Sequence, residues 1–265
     1  MTLVSLLLQN AGISALCLVL LWLGSLKLRD VSFVDSWWAL GIVVLAVATH
    51  FETAGSGVAG TVLLVLCTIW GLRLGLYLFW RWRSHGPDPR YQAIFRSAEA
   101  RRGWSFAFTS GLQVFSLQGV LQFLVALPVQ LGQLDDADRA LGPPGWIGAG
   151  LAVFGILFES LGDWQLVRFR RDPAHENSVL DTGLWRYTRH PNYFGDTCVW
   201  WGLYLIAAET PLGIWSLLSP ILVTVLLTRV SGVPVLEHRL RRNRPDYAAY
   251  IARTSGFIPW PPKRD

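Results

Sequence analysis

Long apolar runs separated by short polar stretches are the main pattern of this chain. Seven runs approach or exceed the length of about 20 residues that an α-helix needs to cross the hydrocarbon core of a bilayer. The pattern therefore predicts an all-α, multi-pass integral membrane protein with seven transmembrane helices. The predicted spans are 3–26, 32–50, 58–80, 105–130, 144–167, 192–208 and 211–228.

The composition supports a membrane protein and disfavours a soluble one. Hydrophobic residues make up 52% of the chain and charged residues 15%, whereas a soluble domain carries about 25% charged residues. The cysteines Cys17, Cys67 and Cys198 lie far apart in apolar runs, so neither a disulfide framework nor a CxxC metal site is expected. No motif with metal-ligand spacing is present, and we expect no metal.

The distribution of basic residues predicts the orientation in the membrane. Of the 23 Lys and Arg, 21 lie in alternate loops and in the tail. The positive-inside rule places these loops and the C-terminus in the cytosol and the N-terminus outside. The basic charge is then a topology signal, and no nucleic-acid partner is expected. Short loops without targeting extensions favour a bacterial inner membrane.

Ionisable residues inside the predicted spans indicate function, because charge in a bilayer is costly. Asp35, Arg73, Glu159, Asp163 and Asp196 all fall at a similar depth near the cytosolic ends of their spans. The i,i+4 spacing of Glu159 and Asp163 puts both carboxylates on one helix face. A single ion pair could be structural, but five such groups predict a polar cavity that opens to the cytosol.

The polar segment 181–196 lies next to that level. It contains two arginines, a histidine, an asparagine and two tyrosines, and the arginine-rich stretch 168–171 precedes it. Guanidinium groups bind phosphate oxygens in a bidentate manner, and Pro191 marks a helix N-terminus that favours an anion. These residues predict a large anionic cofactor with sugar hydroxyls. The alternative is that the arginines bind lipid headgroups.

The tail 237–250 reads as a basic amphipathic helix broken near Pro245, with Tyr247 and Tyr250 on one face. Such a helix lies on the membrane surface by default. Alternatively, the tail forms a lid over the cavity, with Glu237 inside it. We see no repeat or linker and predict one domain, 1–265, whose C-terminal half from about 144 binds the cofactor.

The sequence resembles the DUF1295 branch of the steroid 5α-reductase superfamily over essentially its whole length. The resemblance rests on GLWRYTRHPNYFGD at 183–196, VDSWW at 34–38 and WGLR at 70–73. It implies a monomeric membrane enzyme in which NADPH in a cytosol-facing cavity reduces an activated C=C bond of a lipophilic substrate that enters from the bilayer. The reductases carry a Tyr at the position of Trp70 and Gln-Glu in place of Val34-Asp35, so the substrate need not be a steroid.

The resemblance, together with the polar clusters, gives a set of candidate site residues. The candidate catalytic residues are Asp35, Trp70 and Tyr193. The candidate cofactor ligands are Arg73, Glu159, Asp163, Arg168, Arg170, Arg171, Asn177, Trp185, Arg186, Arg189, His190, Asn192, Tyr193, Asp196, Glu237, Arg241 and Tyr247.

Two other classes of function stay open on the sequence. Membrane methyltransferases that use S-adenosylmethionine share the RHPxY turn, although their paired glutamates read Glu237-His238 here. A seven-helix transporter or receptor is the third class, but transporters usually bind substrate near the midplane between repeats, and neither feature is visible.

Overall fold

The computed structural model describes residues 2–53, 57–135, 140–175, 178–230, 232–233, 237, 240, 244 and 246–263. Within this part of the chain every regular element is helical, and the all-α prediction is confirmed. The helices are α1 (Leu3–Leu28), α2 (Val34–Glu52), α3 (Val58–His85), α4 (Pro89–Arg102), α5 (Phe106–Val125), α6 (Leu127–Leu131), α7 (Pro143–Arg171), α8 (Pro191–Ala207), α9 (Gly213–Val230) and α10 (Tyr247–Arg253). Single 3₁₀ turns lie at Pro173–His175 and Gly183–Arg186.

Six of these helices are long and apolar enough to cross a membrane, namely α1, α2, α3, α5, α7 and α9. They are those of an integral membrane protein. Helix α8 coincides with the predicted span 192–208 but has 17 residues. Its rise of about 26 Å is short of the hydrocarbon thickness of about 30 Å. The seventh span and the orientation therefore stay predictions.

Two helices extend further than their apolar runs. Helix α3 continues from the predicted end at 80 to His85, and α7 continues from 167 to Arg171. The arginines of 168–171 thus lie on a helix, where the sequence predicted a loop. Hydropathy indicates where the apolar run ends, whereas the helix continues until a residue that disfavours helical backbone. The helix breakers here are Gly86, at φ 73°, and Pro173, which disfavours helix in the residue before it.

The predicted span 105–130 is not one regular helix. Helix α5 contains a wide π-helical stretch at Ser110–Ser116 and ends at Val125. The short α6 then begins at Leu127 with Pro128 in its first turn, because the proline ring would clash with the carbonyl four residues earlier in a continuing helix. Helix α4 lies in the stretch 81–103, for which no element is predicted from the sequence.

The chain divides into two compact units. Unit 1 is Met1–Gly145 with Ile206–Ser216, and unit 2 is Trp146–Leu205 with Leu217–Asp265. The single domain 1–265 stays a prediction.

Polar side chains hold the helices of unit 1 together. The Asn10 amide of α1 donates to the Thr49 hydroxyl at 2.8 Å and to the Gln130 oxygen at 3.0 Å. The Gln122 amide of α5 donates to the backbone carbonyls of Trp37 and Trp38 at 3.0 and 2.8 Å. Such interhelical bonds replace the hydrophobic driving force that is absent between helices in lipid. They connect α1 with α2 and α6, and α2 with α5.

Glycines allow α7 and α8 of unit 2 to pack at very short range. A β-carbon at position 195 would lie 2.7 Å from the Glu159 nitrogen and 2.8 Å from the Gly155 carbonyl oxygen. At Gly202 it would lie 2.5 Å from the Gly148 oxygen. Small residues permit this backbone approach between apolar helices. The contact sets the register in which Glu159 and the start of α8 meet.

Candidate functional site

Asp35 of unit 1 is held by two residues of α4. Its Oδ2 accepts a hydrogen bond from the Arg90 guanidinium at 2.6 Å, and its Oδ1 accepts one from the Tyr91 hydroxyl at 2.5 Å. The Arg81 guanidinium lies 4.0 Å away. A carboxylate accepts hydrogen bonds and does not donate them. Among Asp35, Arg90 and Tyr91, Tyr91 is the residue that carries a hydroxyl group.

A chain of local bonds positions α4 for this contact. Asp88 caps the helix by accepting from the Arg90 backbone N–H at 2.8 Å, and Pro89 occupies the first helical position. The Asp88 backbone N–H donates to the Ser32 hydroxyl at 2.7 Å, and that hydroxyl donates to Asp30 at 2.7 Å. These bonds connect the start of α4 to the turn before α2, and Asp35 is the second residue of α2.

The surroundings of Tyr91 favour its neutral form. The side chain is buried in an apolar cluster with Val31, Val34, Val114 and Phe115. Burial and the Asp35 carboxylate raise the pKa of Tyr91 well above its usual value. Its oxygen also accepts a hydrogen bond from the Gln118 amide at 3.3 Å. The phenol therefore keeps its proton at neutral pH.

Arg90 and Tyr91 were missed by the sequence analysis. The Asp88-Pro89 pair is a helix-start signal and could have revealed α4. The pairing of this helix with Asp35 depends on tertiary structure, which no local pattern encodes.

The other candidates of unit 1 lie on α3. Trp70 is fully buried, and the next residue, Gly71, lies against α2, where a β-carbon would come 3.0 Å from the Ala39 carbonyl oxygen. Arg73 follows one turn later and is half-buried. The roles of Trp70 in catalysis and of Arg73 in cofactor binding stay predictions.

Glu159 and Asp163 form the acidic part of unit 2. Both are buried, at 3% and 5% exposure, and their spacing places them on one face of α7 as predicted. The Asn192 amide, in the first turn of α8, donates to Asp163 Oδ1 at 3.3 Å. The structure thus brings Asp163 and Asn192 together, next to a helix N-terminus.

The arginines at the end of α7 are exposed. Arg168 stacks over the Trp164 ring, with its guanidinium carbon 5.5 Å from the ring centre. Arg170 follows Asp163 by seven residues, which places it on the same face about 10 Å further along the helix. Arg171 and Arg186 are also exposed. These side chains lie at the surface of unit 2, where an anion could reach them.

The Arg189 guanidinium forms hydrogen bonds with other groups of the protein. Its guanidinium donates to Glu237 at 2.7 Å and to the backbone carbonyls of Ile251 and Thr254, the former at 3.3 Å. Its backbone N–H donates to the Ser255 carbonyl at 2.9 Å. The side chain binds the tail, although the sequence expected it to bind an anion.

The tail is fastened to the segment 181–190 at further points. The Thr188 hydroxyl donates to the Phe257 carbonyl at 2.7 Å, and the Tyr250 hydroxyl donates to the Trp185 carbonyl at 2.5 Å. Arg253 pairs with Asp181. Burial raises the pKa of Tyr250. These contacts make residues 246–257 a strap across the polar segment.

His190 and Glu237 form a buried pair. The imidazole Nε2 lies 3.1 Å from Glu237 Oε1, and His190 is 1% exposed. Burial tends to raise the pKa of Glu237, but the bonds from His190 and Arg189 outweigh it and lower the pKa to about 2. Burial lowers the pKa of His190 despite that carboxylate. Glu237 is therefore ionised and His190 neutral at pH 7.

The remaining predicted ligands have mixed surroundings. The Tyr193 ring stacks in parallel on His190, with centres 5.3 Å apart. Trp185 is buried and donates from its indole nitrogen to the Gly162 carbonyl at 3.1 Å. Tyr247 is buried beside Tyr250, which agrees with the predicted shared face, and Asp196 is half-buried. Asn177 and Arg241, like the predicted break at Pro245, lie outside the described residues.

An apolar groove lies between α1 and α5 in unit 1. Its volume is about 570 Å³, and small and apolar side chains line it, among them Ala15, Leu18, Gly119 and Phe123. Phe115 both lines the groove and belongs to the apolar cluster around Tyr91. None of the predicted site residues that the structure describes lines this groove, and the predicted cofactor cavity stays a prediction.

The apolar helices and the buried polar clusters define an all-helical integral membrane protein. The sequence model of the family described as "Protein of unknown function (DUF1295)" matches residues 21–254. The chain belongs to this DUF1295 family, as its motifs indicated.

The chain is similar to an uncharacterized protein of Schizosaccharomyces pombe, with 26% identity over 225 residues that cover 75% of this chain and 64% of the yeast protein. The chain thus spans less than two thirds of that relative's length. No solved structure matches the chain. A yeast relative gives no support to the predicted bacterial inner membrane.

Proposed function

We propose that this protein is an NADPH-dependent reductase of an activated C=C bond in a lipophilic substrate. The observation that carries the proposal is the pairing of the buried Asp163 with Asn192 at the start of α8. The membership of DUF1295, with its resemblance to the steroid 5α-reductases, favours an oxidoreductase.

The residues of unit 2 fit a phosphorylated dinucleotide. A carboxylate can accept several hydrogen bonds, so Asp163 could accept from ribose hydroxyls as well as from the Asn192 amide, which lies 3.3 Å from its Oδ1. Arg170, on the same face of α7 about 10 Å away, would hold a phosphate, for which a guanidinium is suited. The N-terminus of α8 favours a further anionic group.

Arg189 and Glu237 do not fit as direct ligands. Arg189 has its donors directed to Glu237 and to carbonyls of the tail, and displacing them would leave buried groups unpaired, which is costly. We propose that these two residues shape the site and that Arg168, Arg170 and Arg171 serve as the phosphate ligands.

The chemistry divides between cofactor and protein. NADPH would supply the hydride, while the protein would orient the substrate, exclude water and supply a proton. We assign the proton donor to the Tyr91 hydroxyl, because Asp35 is a carboxylate paired with Arg90. Asp35 would position the phenol, and the Arg90 guanidinium, 5.7 Å from the centre of the Tyr91 ring, would stabilise the phenolate that the proton transfer leaves. Tyr193, whose ring stacks on His190, stays the alternative donor.

The groove between α1 and α5 supports a lipophilic substrate. Its volume of about 570 Å³ lies in the usual range of about 300–1,000 Å³ for ligand sites. The neighbouring side chains Leu16, Leu20 and Leu112 are exposed, so the groove opens to whatever apolar phase surrounds the helices. A substrate tail in this groove would contact Phe115, which packs in the cluster of Tyr91.

Binding of nucleotides to the detergent-purified protein tests the proposal. We expect saturable binding of NADPH and none of S-adenosylmethionine. Asp163→Ala removes a charged hydrogen-bond acceptor worth about 1.5–3 kcal/mol, which is a loss of affinity of about 10- to 100-fold. Arg96→Ala, which removes an exposed arginine of α4, is the matched control and should bind NADPH normally. Binding of S-adenosylmethionine alone would establish the methyltransferase alternative instead.

A further inference from the structure

The two nitrogens of the buried His190 imidazole have different surroundings in the part of the chain that the structure describes. Nε2 faces Glu237, whereas Nδ1 is buried with no hydrogen-bond partner among the described residues. Buried polar atoms of native proteins are nearly always paired. His190 is predicted from the sequence to belong to an anion site together with the arginines, but the surroundings of its imidazole are those of a different chemistry.

The contact with Glu237 fixes which nitrogen carries the proton. A carboxylate can only accept hydrogen bonds, so Nε2 must be the donor. The same Glu237 oxygen accepts from the Arg189 guanidinium at 2.7 Å, which holds the carboxylate in place. In a neutral imidazole with a proton on Nε2, the other nitrogen is an acceptor. Nδ1 of His190 is then a bare lone pair.

The ring cannot easily turn to exchange the roles of its nitrogens. Tyr193 stacks on one face of it, with an angle of 3° between the rings. The His190 backbone N–H bonds to the Thr188 hydroxyl at 3.3 Å, and that hydroxyl is fastened to the tail through Phe257. The direction of the Nδ1 lone pair is therefore set by the fold.

We propose that Nδ1 of His190 binds a neutral hydrogen-bond donor of the nucleotide, a ribose hydroxyl or a carboxamide N–H, and that Glu237 is the positioning residue that keeps this nitrogen an acceptor. A phosphate is excluded as its partner, because the oxygens of a phosphate are themselves acceptors. The identity of the nucleotide as NADPH rests on the proposed function, whereas the acceptor character of Nδ1 rests on the ligand-free geometry.

The state of the ring is measured by nitrogen NMR on protein labelled with ¹⁵N-histidine, with the His190 signal assigned by its loss in His190→Gln. We expect a protonated Nε2 and a bare Nδ1 at pH 7, and a shift of the Nδ1 resonance when NADPH is added. Glu237→Gln, which removes the carboxylate, should populate the other tautomer. A proton on Nδ1 in the ligand-free wild-type protein would overturn the proposal.

Two substitutions at position 190 separate the two nitrogens. Asn places an oxygen near the position of Nδ1 and keeps the acceptor, whereas Gln places its amide near Nε2 and keeps the bond to Glu237. One hydrogen bond is worth about 0.5–1.5 kcal/mol, so we expect His190→Gln to weaken NADPH binding about three- to tenfold. His190→Asn should bind NADPH within about twofold of the wild-type protein.

Thermal melting of both variants serves as the folding control. An affinity order in which His190→Gln binds NADPH better than His190→Asn, with similar melting temperatures, would refute the acceptor role. If NADPH fails to bind the wild-type protein while Nδ1 is bare, the proposed function is wrong, and the same titration with S-adenosylmethionine then decides whether Nδ1 meets a donor of that nucleoside. If neither nucleotide shifts the Nδ1 resonance, the proposed binding role of Nδ1 is refuted as well.

Discussion

Replacing Glu237 with Ala should loosen the tail from the segment 181–190. The carboxylate bonds Arg189 and His190, and Arg189 in turn bonds the carbonyls of Ile251 and Thr254. Without Glu237 the Arg189 charge stays largely buried, with a side chain 12% exposed, and loses its counter-ion. The strap of residues 246–257 then loses the support of its central arginine.

The size of the effect follows from two independent arguments. The pKa of Glu237 falls from 4.5 to about 2, and one pKa unit corresponds to about 1.4 kcal/mol, which gives about 3 kcal/mol at neutral pH. Removing one partner of a buried ion pair typically costs about 3–5 kcal/mol. For a protein of this size about 3 kcal/mol lowers the melting temperature by about 6–12 °C.

The pH dependence has a definite sign. The pKa of Glu237 is lower in the folded protein, so its stabilisation is fully present above the unfolded value near 4.5. It is lost as the pH falls through that value towards about 2. The difference in melting temperature between the wild-type protein and Glu237→Ala should therefore be largest near pH 7 and shrink below about pH 4.5.

The assay combines thermal melting with hydrogen exchange of the peptides from 246–263. We expect faster exchange there in Glu237→Ala and a smaller effect in Glu237→Gln, which keeps an acceptor oxygen. Glu99→Ala removes an exposed glutamate of α4 and should change stability by less than about 0.5 kcal/mol. If Glu237→Ala melts like the wild-type protein and its tail exchanges no faster, Glu237 does not hold the tail.

Two further predictions concern other parts of the molecule. Gly195→Leu should lower the melting temperature, because its β-carbon would lie less than 3 Å from backbone atoms of α7. The control Gly150→Leu lies on an open face of α7 and should melt like the wild-type protein. Equal melting temperatures of the two variants would contradict the close packing of α7 and α8. Tyr91→Phe should lower the turnover of an enone substrate by about 100-fold or more if the phenol donates the proton, with NADPH affinity unchanged. A Tyr91→Phe protein with full turnover would return the donor role to Tyr193.

The helices that cross the apolar phase were predictable because their length and composition are local properties. The runs at 3–26, 32–50 and 58–80 each correspond to a helix that begins within a few residues of the expected start. The wide turn in α5 was not predictable, since Ser110–Ser116 contains no proline and its one glycine, Gly111, has a counterpart at Gly119 in the regular helix that follows. The true ends of α3 and α7 depend on breakers beyond the apolar runs, and hydropathy does not register these.

The acidic residues of the candidate site could be predicted from the sequence, but the residues that bond to them could not. Asp35, Glu159 and Asp163 stand out because a carboxylate in an apolar run is costly. Arg90 lies in a stretch rich in arginine, and nothing in its sequence distinguishes the one that pairs with Asp35. Arg189 looks like a phosphate ligand in the sequence because an arginine bound to backbone carbonyls has the same local pattern.

Because of the π-helical stretch at Ser110–Ser116, the two parts of α5 direct their polar side chains to different neighbouring helices. A π-type turn adds one residue to a helix, and one residue corresponds to a rotation of about 100°. Ser110, before the addition, accepts the Trp22 indole N–H of α1 at 3.1 Å, and Gln122, beyond it, bonds the backbone of α2. Deleting a single residue between Ser110 and Gln122 would rotate one of these side chains relative to the other by more than a quarter of a turn about the helix axis. The helix could then keep its hydrogen bonds to only one of its two neighbours, α1 or α2.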